Sequence, residues 1–154
     1  MSDPALPFNV RQVRIRMHHT DAMGAVYHGT YFPLFDEART EVFRDLGYTW
    51  RDAVEGEGRA MVIVHVACDF KRPARMDDLV AIEVHVARLT RVRLAFRYTV
   101  TLAYSGALVA TGEQTFVFLS TTTNRPTSVP PNLAACILGA PGFVAEAGPG
   151  DAPV

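Results

Sequence analysis

The sequence has few cysteines, little net charge and no long apolar run, and each shortage excludes a class of protein. Cys68 and Cys136 are the only cysteines in 154 residues, and their separation fits no metal-binding or redox spacing. They predict buried free thiols in a reducing cytoplasm. A net charge of −1 argues against a generally basic nucleic-acid-binding protein, so no nucleic-acid partner is expected.

No apolar stretch approaches the roughly 18 residues that a transmembrane helix needs, so no membrane span is predicted. Residues 1–8 lack the basic and apolar regions of a secretory signal, and we expect none there. The composition, 49% hydrophobic and 20% charged, is typical of a globular protein. The length predicts a single domain over residues 1–138, and the Gly-, Pro- and Ala-rich tail over 139–154 is expected to be mobile.

One long amphipathic helix is predicted over residues 30–46. Its apolar residues recur at the three- and four-residue spacing of a helix face, whereas most charged residues lie elsewhere. Thr30 is a candidate N-cap, and Pro33 is tolerated because it falls in the first turn. Gly47 ends the helix.

Strands are predicted on both sides of this helix. An imperfect alternation of apolar and polar residues predicts a first strand over about 10–18. The apolar run 61–66 is typical of a strand covered on both faces. Two alternating segments follow over 80–86 and 94–102, and another strand is predicted over 108–119, joined to the one before it by a turn at 104–107. A short helical segment is predicted after Pro130. These elements predict an α+β fold with a five-stranded antiparallel sheet and one long helix, and its apolar edges favour a dimer.

The loop Thr20–His28 brings an acid, a histidine and a helix N-terminus within a few residues, which indicates a reactive centre. Nearby histidines raise the possibility of a metal site. In a strand, however, His18 and His19 would point to opposite faces, and no HExxH or His-x-His pair is present. No metal is therefore predicted.

Two motifs in this chain resemble those of a known family. The first is Thr20-Asp21-Ala22-x-Gly24-x-Val26-Tyr27-His28, followed by Tyr31-Phe32 and Glu37-Ala38-Arg39-Thr40-Glu41; the second is Lys71-Arg72-Pro73-Ala74-Arg75-x-Asp77-Asp78. Together they resemble the hotdog-fold thioesterases of the 4-hydroxybenzoyl-CoA thioesterase type, most of all the bacterial acyl-CoA branch encoded with the Tol–Pal system. The resemblance covers about residues 10–120. Members of that branch often carry Tyr-Glu-Asp before the Thr-Asp pair, where this chain has Met17, His18 and His19.

The resemblance implies a hotdog fold, in which a curved five-stranded antiparallel sheet wraps around the long helix. It implies hydrolysis of small-molecule acyl-CoA thioesters without metal or redox cofactor, by a homodimer or homotetramer with active sites at the dimer interface. The catalytic acid falls on Asp21, and the backbone amide that polarises the thioester carbonyl falls at His28 or the adjacent Gly29. The family histidine and tyrosine fall on His28 and Tyr27.

Arginine forks suit the phosphates of CoA, and six basic residues are candidates for binding them. They are Lys71, Arg72 and Arg75 in one connection and Arg88, Arg91 and Arg93 in another. A solvated rim is the alternative interpretation for any one of them.

Several alternatives stay open at this point. Asp21 can act as nucleophile or as general base, and Glu37 on the helix is a minor rival. The acyl carrier can be an acyl carrier protein instead of CoA. A non-catalytic acyl-CoA-binding protein is a third possibility, although no segment has room for a DNA-binding helix-turn-helix. A hotdog dehydratase fits the Asp21 loop less well.

Overall fold

A computed structural model describes residues 9–140 of the chain. Its five long strands are β1 (Asn9–Arg14), β2 (Arg59–Phe70), β3 (Leu79–Leu89), β4 (Arg93–Leu102) and β5 (Leu108–Ser120), and a two-residue strand β6 is Pro126–Thr127. The helices are α1 (Tyr31–Asp45) and α2 (Pro131–Leu138), with 3₁₀ turns at Met17–His19 and His28–Thr30 and a π-helical turn at Asp52–Gly56. The predicted long helix and five-stranded antiparallel sheet are confirmed.

The strands form one antiparallel sheet in the order β1-β3-β4-β5-β2, and β6 pairs with the end of β5. Alternate residues of β3 and β4, such as Val84 and Phe96, point to one face and are almost fully buried there. Helix α1 packs on this face and contacts β1 and β3. The core therefore lies between α1 and this face of the sheet.

Helix α1 starts differently from the prediction. Thr30 has helical dihedral angles and its side chain does not cap the helix. Its hydroxyl donates instead to the carbonyl of His19 at 3.2 Å. Helical structure begins earlier, at His28, because the 3₁₀ turn runs directly into α1. The predicted end is confirmed, since Gly47 follows the helix with a φ of +75°.

Gly112 on β5 lets α1 approach the sheet closely. A Cβ at this position would lie 2.3 Å from Cε2 of Phe35, which is fully buried and stacks on Tyr98 with ring centroids 4.4 Å apart. We expect Gly112→Ala to destabilise the fold by about 1–3 kcal/mol, because the Phe35 ring has no free space to move into. Chemical denaturation measures the change. Gly56→Ala is the control, since its Cβ would meet nothing within 4 Å.

A polar cluster is enclosed between α1 and the sheet. Gln114 Oε1 accepts hydrogen bonds from Arg39 Nη1 at 2.7 Å and from the Tyr98 hydroxyl at 2.6 Å. Asp36 Oδ1 accepts from Arg39 Nη1 and from Gln114 Nε2. Burial is the main cause that raises the pKa of Tyr98. These bonds fix the rotation of α1 on the sheet, since each partner would otherwise be left unpaired in the core.

Three local predictions need correction. The first strand ends at Arg14 instead of residue 18, because Met17–His19 turn into a 3₁₀ helix. Segment 49–60 contains a π-helical turn, where a loop or frayed turn was expected. Segment 61–66 is not covered on both faces in the single chain, because β2 lies at the edge of the sheet and leaves Ile63, Val64 and Val66 exposed.

Most of the predicted mobile tail, residues 141–154, lies outside the described residues. Within residues 9–140, no helix is long and apolar enough to cross a membrane.

Candidate functional site

The loop that carries Asp21 is a tight turn closed by its own backbone. The N–H of Asp21 donates to the carbonyl of Ala25, and the N–H of Gly24 donates back to the carbonyl of Asp21. Gly24 has a φ of +75°, which favours glycine at this position. Asp21 Oδ1 accepts from the N–H of Met23 at 2.8 Å. The carboxylate is therefore held through Oδ1, and the Asp21 side chain belongs to an exposed residue.

Two neighbouring segments hold this loop in place. Tyr27 N–H donates to the carbonyl of His19, and Val26 N–H donates to the carbonyl of Ala74. An isolated β-bridge joins Ala25 to Arg75. The loop is thus fixed between the 3₁₀ turn at Met17–His19 and the segment that contains the second sequence motif.

The helix start beside the loop offers backbone donors. Within residues 9–140, no hydrogen bond from the N–H of His28 or Gly29 is found, whereas Thr30 N–H donates to the carbonyl of Tyr27. Free amides are expected at the first turn of a helix, where they carry the positive end of its dipole. They suit an oxygen that gains negative charge during a reaction.

Aromatic side chains lie around the helix start, and of these Tyr31 is buried whereas Tyr27, His28 and Phe70 are exposed. The Tyr27 and His28 rings lie 4.2 Å apart, and a Cβ on Gly29 would come within 2.6 Å of Tyr27 Cε1. Phe70, at the end of β2, lies 6.5 Å from the His28 ring and 5.5 Å from that of Tyr31. Burial raises the pKa of Tyr31 to about 12, so its hydroxyl stays protonated near neutral pH. This end of β2 is therefore a wall of the site.

Phe70 is the residue of this wall that the sequence analysis did not single out. The available signal was its position at the end of an apolar strand, directly before the Lys71–Asp78 motif.

His18 and His19 do not lie in a strand, so the expectation that they point to opposite faces is wrong. Both belong to the 3₁₀ turn, where their ring centroids are 4.0 Å apart. His19 Nδ1 accepts from the N–H of Arg16, and burial, followed by the charge of His18, lowers the pKa of His19. The pair lines a groove of about 360 Å³ with Tyr27, Gly29 and Glu37.

In the part of the chain that the structure describes, no three His, Cys, Asp or Glu side chains are grouped as metal ligands would be. His18, His19, Asp21 and His28 are close in sequence but do not form such a group.

The six candidate basic residues form two separate groups. Arg72 belongs to the segment that packs against the Asp21 loop. Arg88, Arg91 and Arg93 lie at the other end of β3 and β4, where Arg93 pairs with Val117. A strand of the length of β3 spans roughly 35 Å. Within one chain, only the group around Arg72 is adjacent to Asp21.

Comparison with known proteins agrees with this fold. Slr0204 of Synechocystis, a 1,4-dihydroxy-2-naphthoyl-CoA thioesterase, superposes with a TM-score of 0.79 at 18% identity, covering 84% of this chain and 95% of that one. At this identity the likeness shows the fold alone, which is the hotdog fold. The model of the thioesterase-like superfamily matches residues 15–137. The chain belongs to this superfamily.

Two relatives are similar in sequence. The acyl-CoA thioesterase YbgC of Haemophilus influenzae is 36% identical over 84 residues, which are 54% of this chain and 62% of that protein. The acyl-CoA thioester hydrolase YbgC of Escherichia coli O6:H1 is 28% identical over 123 residues, 80% of this chain and 90% of that protein. The predicted fold and the predicted enzyme class, a thioester hydrolase, are confirmed.

Proposed function

We propose that the protein hydrolyses acyl-CoA thioesters to a free acid and CoA, with Asp21 and the amides of His28 and Gly29 as its reaction centre. The observation that carries this proposal is the fixed loop: it holds the Asp21 carboxylate through one oxygen and leads into a helix start where, within residues 9–140, no acceptor is found for the N–H of His28 or Gly29. Thioester cleavage needs these two elements: donors for the carbonyl oxygen, and a carboxylate that attacks or activates water. The relatives named acyl-CoA thioesterases support CoA as the carrier.

In this proposal the thioester carbonyl accepts hydrogen bonds from the N–H of His28 and Gly29. Asp21 Oδ2 either attacks the carbonyl carbon, which expels the CoA thiolate and leaves a mixed anhydride for water to cleave, or takes a proton from an attacking water. The His28 imidazole stands at the same helix start and can protonate the departing thiolate. Tyr27 packs on Gly29 and shapes the wall beside the carbonyl.

A second copy of the chain completes the proposed site. The β2 edge carries a row of exposed apolar side chains, Ile63, Val64, Val66 and Phe70. Phe70 in this row is also a wall of the reaction centre. Such an edge is a template for pairing, and a twofold axis pairs it antiparallel with its own copy. We therefore propose a homodimer joined through β2, with two active sites at the interface; a tetramer of two such dimers remains compatible.

Antiparallel pairing also gives the distant arginines a role. In the proposed pairing, one end of the partner's sheet, which carries its Arg88, Arg91 and Arg93, lies next to the end of this chain's sheet that holds Asp21. We propose that Arg72 binds CoA phosphates from the same chain and that some of the other three do so from the partner.

The remaining proposals concern context. Free Cys68 and Cys136 fit a reducing, cytoplasmic location. The single domain over 1–138 and membership of the Tol–Pal-associated branch are also parts of this proposal.

The test is hydrolysis of short, medium, long and aromatic acyl-CoAs, with release of free thiol as the measurement. We expect turnover of at least one class, and faster turnover with CoA than with an acyl carrier protein bearing the same acyl group. No release from any CoA ester would contradict the proposal, and hydrolysis of the protein-bound thioesters alone would replace CoA by the carrier protein.

A further inference from the structure

A second cavity lies at the opposite end of α1 from the Asp21 loop. It has a volume of about 310 Å³ and is bounded by the C-terminal half of α1, the π-helical turn, the start of β2 and helix α2. Its apolar lining includes Phe43, Tyr48, Trp50, Met61, Phe118 and Leu133. A helix of the length of α1 spans about 22 Å, so within one chain this cavity is separate from the reaction centre. Its volume is at the lower end of those of small-molecule sites.

The charged side chains that line the cavity in the described part of the chain are all arginines. They are Arg39, Arg44, Arg51 and Arg59, and within residues 9–140 no aspartate or glutamate lines the cavity. Three of them have carboxylate partners outside the lining: Asp36 for Arg39, Glu41 for Arg44 and Glu55 for Arg51. The fourth arginine is different.

Among the described residues, the acceptors of the Arg59 guanidinium are all neutral. Its Nη1 donates to the carbonyl and the hydroxyl of Ser128 at 2.8 and 2.6 Å and to the carbonyl of Val129 at 2.9 Å. None of the ion pairs in residues 9–140 includes Arg59. Glu57, the carboxylate close in sequence, accepts instead from the Tyr48 hydroxyl and the N–H of Asn132. The guanidinium is thus held at a fixed position by neutral acceptors, with no carboxylate of residues 9–140 within ion-pair distance.

We propose that this cavity binds a carboxylate with an apolar body, with the carboxylate on Arg59 and the body against the aromatic lining. A guanidinium presents donors in a fork that matches a carboxylate, and such charge-assisted bonds are stronger than neutral ones. A neutral apolar molecule would fill the cavity without this partner, so it binds more weakly.

Two sources supply this chemistry. One is a free carboxylic acid, the product class of thioester hydrolysis. The other is an acyl group whose far end carries a carboxylate and whose thioester lies at the active site of the partner chain. This is possible because, in the proposed dimer, the start of β2 lies beside the partner's reaction centre. The second source rests on the proposed function, whereas binding of a free acid does not.

Trp50 makes binding directly measurable. It is the only tryptophan of the chain, it lines the cavity and it is 71% exposed. We expect decanoate to shift its fluorescence emission to shorter wavelength in a saturable manner, and decanol to bind at least about tenfold more weakly. Equal affinity for the acid and the alcohol, or no saturable shift with decanoate, would overturn the proposal.

Variants of Arg59 test whether its guanidinium binds the carboxylate. Arg59→Met should weaken decanoate binding at least about tenfold and leave decanol binding unchanged, and Arg59→Lys should restore part of the loss. Arg125→Met, the same change at an exposed residue outside the cavity, should bind like wild type. Undiminished decanoate binding by Arg59→Met would overturn the proposal. If this variant does not fold, the comparison of acid and alcohol in the wild type decides.

Hydrolysis distinguishes the two sources. The test compares the CoA thioester of a dicarboxylic acid, which keeps one free carboxylate, with the methyl-ended thioester of equal length. If the first is hydrolysed faster and Arg59→Met loses this difference in rate, the cavity binds the end of the acyl group. If both thioesters are hydrolysed at equal rates and decanoate still binds, the cavity is a site for a free carboxylic acid. Decanoate binding by a protein inert on every CoA ester would refute the proposed function but support the cavity.

Discussion

Replacing Asp21 by Asn is expected to lower kcat for the best acyl-CoA substrate by about two orders of magnitude or more. The substitution removes the charge of the carboxylate and keeps its shape. An amide neither attacks a thioester carbonyl as a carboxylate does nor takes a proton from water. Both proposed roles of Asp21 are therefore lost together, and steady-state release of free thiol measures the loss.

The Asn side chain keeps the local structure that Asp21 supports. Its amide oxygen can still accept from the N–H of Met23, which Asp21 Oδ1 does in the native loop. We therefore expect the melting temperature to change little and KM to change less than kcat. A loss of activity with intact folding would assign the effect to chemistry and not to collapse of the loop.

Asp77→Asn is the matched control. It makes the same change of charge in the segment next to the Asp21 loop, at a residue with a φ of +71° that asparagine tolerates. Its activity should stay within about twofold of wild type. Should Asp21→Asn keep wild-type activity, the assignment of Asp21 would be wrong. Glu37, which lines the groove beside Gly29, would then be the next residue to change.

Most of the fold could be predicted because its signals are local. The spacing of Leu34, Phe35, Ala38 and Val42 identifies the helix, and these side chains are buried in the structure. The start of the helix could not be predicted, because the Thr30 hydroxyl is drawn to the carbonyl of His19, a residue of another turn. The spacing of apolar residues along the sequence does not predict contacts between separate turns.

In the candidate site, too, features within one short segment could be predicted, whereas contacts between distant segments could not. Asp21, Tyr27 and His28 share one short segment, so a motif is enough to bring them together. Phe70 reaches the His28 ring only because β2 ends beside the helix start. Arg72 and Arg93 lie far apart because of the order of the strands in the sheet. The alternation of apolar residues predicts strands but not their order.

Replacing Val64 by Lys is expected to separate the proposed dimer into monomers and to lower activity by more than about tenfold. Val64 lies at the irregularity in the β2–β5 pairing between Ile63 and His65, and it is 54% exposed at the free edge of the sheet. A lysine there would have to be buried against the partner strand. Sedimentation velocity measures the assembly, and thiol release measures the activity.

The size of the effect follows from the cost of burying charge. An unpaired ammonium placed in an interface costs several kcal/mol, and each 1.4 kcal/mol is about a factor of ten in affinity. The dissociation constant of the dimer should therefore rise by about a hundredfold or more. Folding of the single chain should suffer little, because Val64 is more than half exposed in the single chain.

Val10→Lys places the same charge on β1, the opposite edge of the sheet, where Val10 is 48% exposed. This variant should remain dimeric and active, because the proposed pairing uses β2 alone. A wild-type protein that is monomeric and fully active, or a Val64→Lys variant that keeps both assembly and turnover, would contradict the dimer. If the partner does complete the site, activity per chain in Val64→Lys should rise with protein concentration, whereas a merely damaged site would give the same low activity at every concentration.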